Sequence, residues 1–142
     1  MRALLDVNVL IAIHDPDHVH HRQASDWLSR NIRAGWASCS LTQNGCLRIM
    51  AQPGYINPQP LPLLVQMLQR STQASAHEFW DEPLSILDGD RFEHAHIHSA
   101  RQLTDLYLLG LAVRHGGRFV TFDQRIALSA VRGATRKHLV TL

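Results

Sequence analysis

The sequence predicts an α/β fold, a mostly parallel central sheet with helices on both faces, and three observations carry that expectation. Residues 3–11 and 119–122 are short, nearly uninterrupted apolar runs, the pattern of strands buried on both sides. Segments between them place apolar residues at helical spacing. The breakers Asp15-Pro16-Asp17, Pro53-Gly54 and Gly116-Gly117 divide the chain at intervals suited to alternating strands and helices.

Taken in order, the first run reads as one strand, with Asp6 the only carboxylate inside it. A buried carboxylate is costly unless something pairs with it. Asp6 is therefore a hydrogen-bonded structural acid, a cap for a following helix, or an acid kept to hold a cation. Residues 20–32 follow as a helix with Ala24, Trp27, Leu28 and Ile32 on one face. Residues 36–39 form a short strand candidate. Ser40 or Thr42 then caps a helix to about Ala51, with Cys46, Leu47 and Met50 inward. Pro58, Pro60 and Pro62 stiffen the next connection, and Pro62 suits the first position of a helix over 63–70. A short strand is expected at 84–87. Thr104 reads as the N-cap of a helix apolar nearly all round, with Asp105 in its first turn and Gly116 at its left-handed stop. Strands at 119–122 and 138–142 close the series. No internal repeat or low-complexity tract interrupts it.

At 142 residues the chain is expected to form one domain, 1–142. Its 45% hydrophobic and 18% charged content is ordinary for a soluble globular protein. A net charge of +2 permits a nucleic-acid partner without requiring one. Of its fourteen basic residues only Lys137 is a lysine. Cys39 and Cys46 have neither zinc-knuckle nor disulfide-framework spacing. The longest apolar stretch, 106–113, is far short of the roughly 20 residues a membrane span needs. A reduced, cytoplasmic, soluble protein is the expectation.

Three acids share one property. Asp6 and Asp123 end strands, and Asp105 opens a helix. In a parallel sheet, strand carboxyl ends and helix amino ends lie along one edge, so the three can converge. Each alone has a structural reading, as a cap or a helix-start acid; together they point to a shared cation. Convergent carboxylates repel one another, and a divalent ion removes that cost. Mg²⁺ held by a few carboxylates keeps positions open for water and phosphate oxygens.

Four segments then resemble, in order, the successive motifs of PIN-domain ribonucleases, and more narrowly the VapC-type toxins of bacterial toxin–antitoxin pairs. They are Leu4-Leu5-Asp6-Val7-Asn8-Val9-Leu10, Thr42-Gln43-Asn44-Gly45-Cys46-Leu47-Arg48, Thr104-Asp105-Leu106-Tyr107-Leu108 with Leu111-Ala112, and Thr121-Phe122-Asp123. The resemblance spans nearly the whole chain. It implies a three-layer PIN-like domain with about four or five strands. It also implies a Mg²⁺- or Mn²⁺-dependent endoribonuclease acting on RNA, a homodimer, and a cognate antitoxin that holds it inactive. Asp6, Asp105 and Asp123 would hold the metal, with Asn8, Gln43 and Thr121 orienting ligands or water.

One departure is plain: the family usually carries a glutamate in the second motif, where this chain has Gln43. A natural variant that still cleaves, a toxin that only binds RNA or antitoxin, and an engineered change all fit that residue; the intact aspartates favour the first. A second alternative is a haloacid-dehalogenase-type phosphatase, which also begins with an aspartate at the first strand's end. Such enzymes need an acid two residues on, where this chain has Asn8, and a lysine, for which only Lys137 is available. Arg48 and Arg125 are candidates for RNA phosphates. His94, His96 and His98 would share a face on a strand but read more simply as loop histidines, as do His18, His20 and His21. Trp27, Trp36 and Trp80 are core or contact surface.

Overall fold

The computed structural model describes all residues, Met1–Leu142. Its centre is a five-stranded, wholly parallel sheet in the order β3-β2-β1-β4-β5, built from β1 (Ala3–Leu5), β2 (Trp36–Ser38), β3 (His77–Phe79), β4 (Arg118–Thr121) and β5 (Leu139–Thr141). Five helices surround it: α1 (Val7–His14), α2 (His21–Asn31), α3 (Ser40–Met50), α4 (Leu61–Thr72) and α5 (Leu103–Arg114). No helix is long and apolar enough to cross a membrane.

Strand alternation sorts the core into two halves. Ala3, Leu5, Trp36 and Val120 face one side, where they pack with Val9, Leu10, Ala24, Cys46, Met50, Leu64 and Leu68 from α1 to α4. Leu4, Ala37 and Phe119 face the other, against α5 and the buried side chains Trp80, Phe92, Ala130 and Val131. Sheet and flanking helices therefore make three layers.

Several elements differ from expectation for local reasons. The run at 3–11 is not one strand. It stops at Leu5, and Asp6 caps α1 by accepting from the Val7 amide at 2.7 Å. Val9, Leu10, Ile11 and Ala12 are buried all the same, because α1 lies between sheet and neighbouring helices. A fully buried helix and a fully buried strand look alike in apolar pattern. The cap of α3 is Cys39, not Ser40 or Thr42; Thr42 returns its hydroxyl to the Cys39 amide at 3.0 Å. Thr104 lies inside α5, which begins at Leu103. No strand forms at 84–87; the outer strand is His77–Phe79, whose partly exposed side chains carry little apolar signal. Gly116 takes φ +64° after α5, as its stop requires.

Sheet order creates the crevice. The chain after β1 passes through α1 on one face, and the chain after β4 runs along the other, where Ala130 and Val131 pack beside α5. Neighbouring strands whose connections leave on opposite faces open a gap at their carboxyl ends, where ligands of such sheets bind.

Candidate active site

That gap holds the acids. Asp6 follows β1, Asp123 follows β4, and Asp105 occupies the first turn of α5; all three line one cleft of about 390 Å³. Register explains the first pairing. Leu5 stands beside Val120, so Asp6 falls next to Thr121, and the Asp6 amide donates to the Val120 carbonyl at 2.9 Å. The fully buried Thr121 hydroxyl donates to Asp6 Oδ2 at 2.7 Å, and its oxygen accepts from the Asp123 amide at 3.1 Å. One hydroxyl thus orients one acid and fixes the backbone of another. Asp123 Oδ1 in turn accepts from the Arg125 amide at 2.8 Å.

Charge is held there at a cost. Burial raises the Asp6 carboxyl above its ordinary range, the Thr121 and Val7 hydrogen bonds oppose that, and Asp123 adds to it. Burial, with Asp6 and Asp123 as like-charged neighbours, pushes Asp105 up to about 6. Carboxylates crowded until one resists ionisation are what a divalent cation relieves. The donors are all hard oxygens, the class that suits Mg²⁺, Mn²⁺ or Ca²⁺ over softer ions. They ring the cleft without closing on a point: no three His, Cys, Asp or Glu side chains stand close enough to ligate one ion directly. Mg²⁺ keeps several waters and is commonly held by only one or two carboxylates.

The remaining candidates divide. Asn8 is exposed at the rim of the same cleft. Thr121 lies behind it, acting through Asp6. Arg48 lines the cleft and takes part in no ion pair. Gln43 does not line it. Its amide donates to the Ser38 hydroxyl at 3.0 Å, on the side of α3 facing α4. From that motif Asn44, Gly45 and Arg48 line the cleft; Asn44, which also borders the α4 side, was not among the candidates read from the sequence. A signal was available: Asn44 is one turn before Arg48, whereas Gln43 is nearly one and a half turns before it and so on another face. Gly45 lets α3 approach, because a Cβ there would stand 2.7 Å from a Val7 methyl carbon.

Lys137 sits in the short turn Arg136–His138 before β5 and does not reach the cleft, so a phosphatase lysine is missing from it. His94 and His96 lie in a single 3₁₀ turn and bond to different carbonyls, those of Ile86 and Ser129. The strand that would align them with His98 does not form. Trp36 and Trp80 are core, and half-buried Trp27 carries the Arg118 guanidinium 5.0 Å from its ring centre.

Comparison with known proteins agrees with this architecture. The PIN domain family model matches residues 3–132. The chain is 54% identical to Ribonuclease VapC44 of Mycobacterium tuberculosis over all 142 residues, covering the whole of both. It is 37% identical to Ribonuclease VapC39 of the same organism over 134 residues, 94% of this chain and 96% of that one. Among solved structures, VapBC2 from Rickettsia felis, crystallised with a DNA fragment from its promoter, superposes with a TM-score of 0.60 over 88% of this chain and 90% of the other. At 12% identity that likeness concerns the fold.

Proposed function

Because the chain belongs to the PIN-domain family, among relatives named VapC ribonucleases, we propose that it is a divalent-metal-dependent endoribonuclease and the toxin of a toxin–antitoxin pair. The observation that carries this reading is the meeting of Asp6, Asp105 and Asp123 in one cleft at the switch point of a parallel sheet. These three hold Mg²⁺ or Mn²⁺. An ion held there would supply charge neutralisation at the scissile phosphate and would ease loss of a proton from the attacking water. Thr121 aims Asp6, and its hydrogen bond favours the ionised carboxylate against burial. Asn8 and Asn44 offer amide groups to water or to the ribose, and Arg48 neutralises a phosphate oxygen. No side chain forms a covalent intermediate.

Gln43 does not enter this reading, because its side chain donates to Ser38 and does not line the cleft. Exposed Leu61 and Leu63 on α4 supply apolar surface that supports a protein partner, the cognate antitoxin, with a homodimer as the working assembly.

The test is cleavage of an RNA panel by the purified protein with Mg²⁺, Mn²⁺ or EDTA, beside Asp6→Asn. Cleavage that needs the metal and disappears in a folded Asp6→Asn protein is the expected result. Equal cleavage by Asp6→Asn removes this cleft from the reaction.

A further inference from the structure

Next to the acidic cleft lies a smaller cavity of about 110 Å³ with the opposite character. Ser99, Arg101, Gln102, Asp123 and Arg125 line it, and none is apolar. Two guanidiniums face one carboxylate there, whereas the cleft sets three carboxylates against Arg48 alone. Asp123 belongs to both, so the cavities adjoin along one wall.

Its arginines are placed by the fold. The Gln102 amide donates to the Arg125 carbonyl at 3.5 Å, and the Gln102 side-chain oxygen accepts from the His98 amide at 3.2 Å. Gln102 thereby ties the loop before α5 to the loop after β4. Arg125 is held from its own side, its amide and Nε donating to Asp123 Oδ1 at 2.8 and 3.5 Å. The Arg101 amide bonds the Ser99 hydroxyl at 3.3 Å, and its guanidinium enters no ion pair. Arginine forks presented with a hydroxyl and an amide match the oxygens of a phosphate group.

We propose that Arg101 and Arg125 form a phosphate subsite, taking the backbone phosphate next to the one in the acidic cleft on a single-stranded RNA. This rests on the ribonuclease reading and adds a direction to it: the strand runs from Arg48, across the aspartates, to Arg101 and Arg125. An unpaired strand is the occupant proposed, because its backbone is free to bend into two adjoining pockets without a second strand to accommodate. The aspartates repel a bare phosphate chain, and the flanking arginines supply the attraction that offsets this.

Binding without cleavage tests it. The full chain in EDTA is titrated with a fluorescein-labelled oligouridylate across a salt series and followed by anisotropy. Arg101→Gln and Arg125→Gln are each expected to weaken binding roughly tenfold. Each should reduce the slope of log affinity against log salt by about 0.7, the loss of one single-strand phosphate contact. Arg22→Gln, on the far helix α2, should change neither beyond a minor charge effect. Arg101 forms no hydrogen bond or ion pair with Asp123, so its variant separates loss of the subsite from disturbance of the acid. A terminal phosphate on UpU, at the 5′ or the 3′ end, should improve binding in the parent protein and not in Arg101→Gln. Unchanged affinity and slope in Arg101→Gln, or an equal loss in Arg22→Gln, overturns the proposal. So does a loss confined to an acidic peptide with RNA binding intact, which would assign the cavity to a protein partner. Because the readout needs no metal, failure of the ribonuclease reading would show separately, as absent cleavage in an arm supplied with Mg²⁺ or Mn²⁺.

Discussion

The Thr121 hydroxyl donates to Asp6 Oδ2 at 2.7 Å across two neighbouring strands, joining residues 115 positions apart in the chain. The same oxygen accepts from the Asp123 amide. Two of the three acids therefore depend on one buried threonine, although only the carboxylates face the cleft.

Thr121→Val keeps the shape of the side chain and removes that donor. Asp6 is 7% exposed, so losing a buried partner should cost about 1–3 kcal/mol in urea unfolding. It should also raise the Asp6 carboxyl further and weaken Mg²⁺ binding measured by calorimetry. Thr121→Ser should recover most of both. A serine variant no better than valine would show that the methyl group, not the hydroxyl, matters.

Asp105 gives the metal-free protein an inverted pH response. Its carboxyl holds a proton up to about pH 6 when folded, against an ordinary 3.8, so between those values the folded chain binds more protons than the unfolded one. That contribution to stability is complete below 3.8 and is lost as pH rises through about 6. Without metal, the melting temperature of the parent relative to Asp105→Asn should rise as pH falls from about 7 to about 5. With Mg²⁺ the added stabilisation should shrink over the same range, as protons displace the ion. Parallel melting curves for the two proteins at every pH would contradict this.

Residues 43 and 44 should respond in opposite ways to an added charge. Asn44→Asp brings a fourth carboxylate to the cleft and should tighten Mg²⁺ on the order of tenfold, while raising Asp105 further in its absence. Gln43→Glu should leave Mg²⁺ affinity unchanged. Its effect should appear at His77, whose Nδ1 faces the Thr72 carbonyl at 3.1 Å and whose Nε2 faces Ser38 at 2.8 Å. Nδ1 donates to that carbonyl, so Nε2 accepts from Ser38, and Ser38 accepts from Gln43. A glutamate reverses the chain and favours a doubly protonated ring, raising a His77 pKa that burial otherwise lowers. NMR titration of the imidazole measures it.

Gly45→Ala should destabilise the protein despite alanine's better helix propensity. The new Cβ would meet Val7 at 2.7 Å, and overpacking of this kind costs typically about 1–3 kcal/mol. Val7→Ala in the same chain should relieve part of that loss, a coupling that a double-mutant cycle reads directly. Additive losses would place the strain elsewhere.

The sequence by itself determined the ingredients: alternating strands and helices, the breakers between them, and three aspartates at strand ends and a helix start. These are local properties, written in apolar period, capping residues and turn chemistry. The β1–α1 boundary was not legible, because burial on every side gives strand and helix the same apolar run. Nor was β3, whose side chains are too exposed to mark it. Helical spacing puts Asn44 on the face of Arg48 and Gln43 on another; that this face meets the acids belongs to tertiary structure, where the approach of Gly45 to Val7 sets the rotation of α3. So does the pairing of Arg101 with Arg125, which Gln102 brings about across two loops. Which side chains meet depends on strand order and helix rotation, and packing between segments distant in the chain decides both.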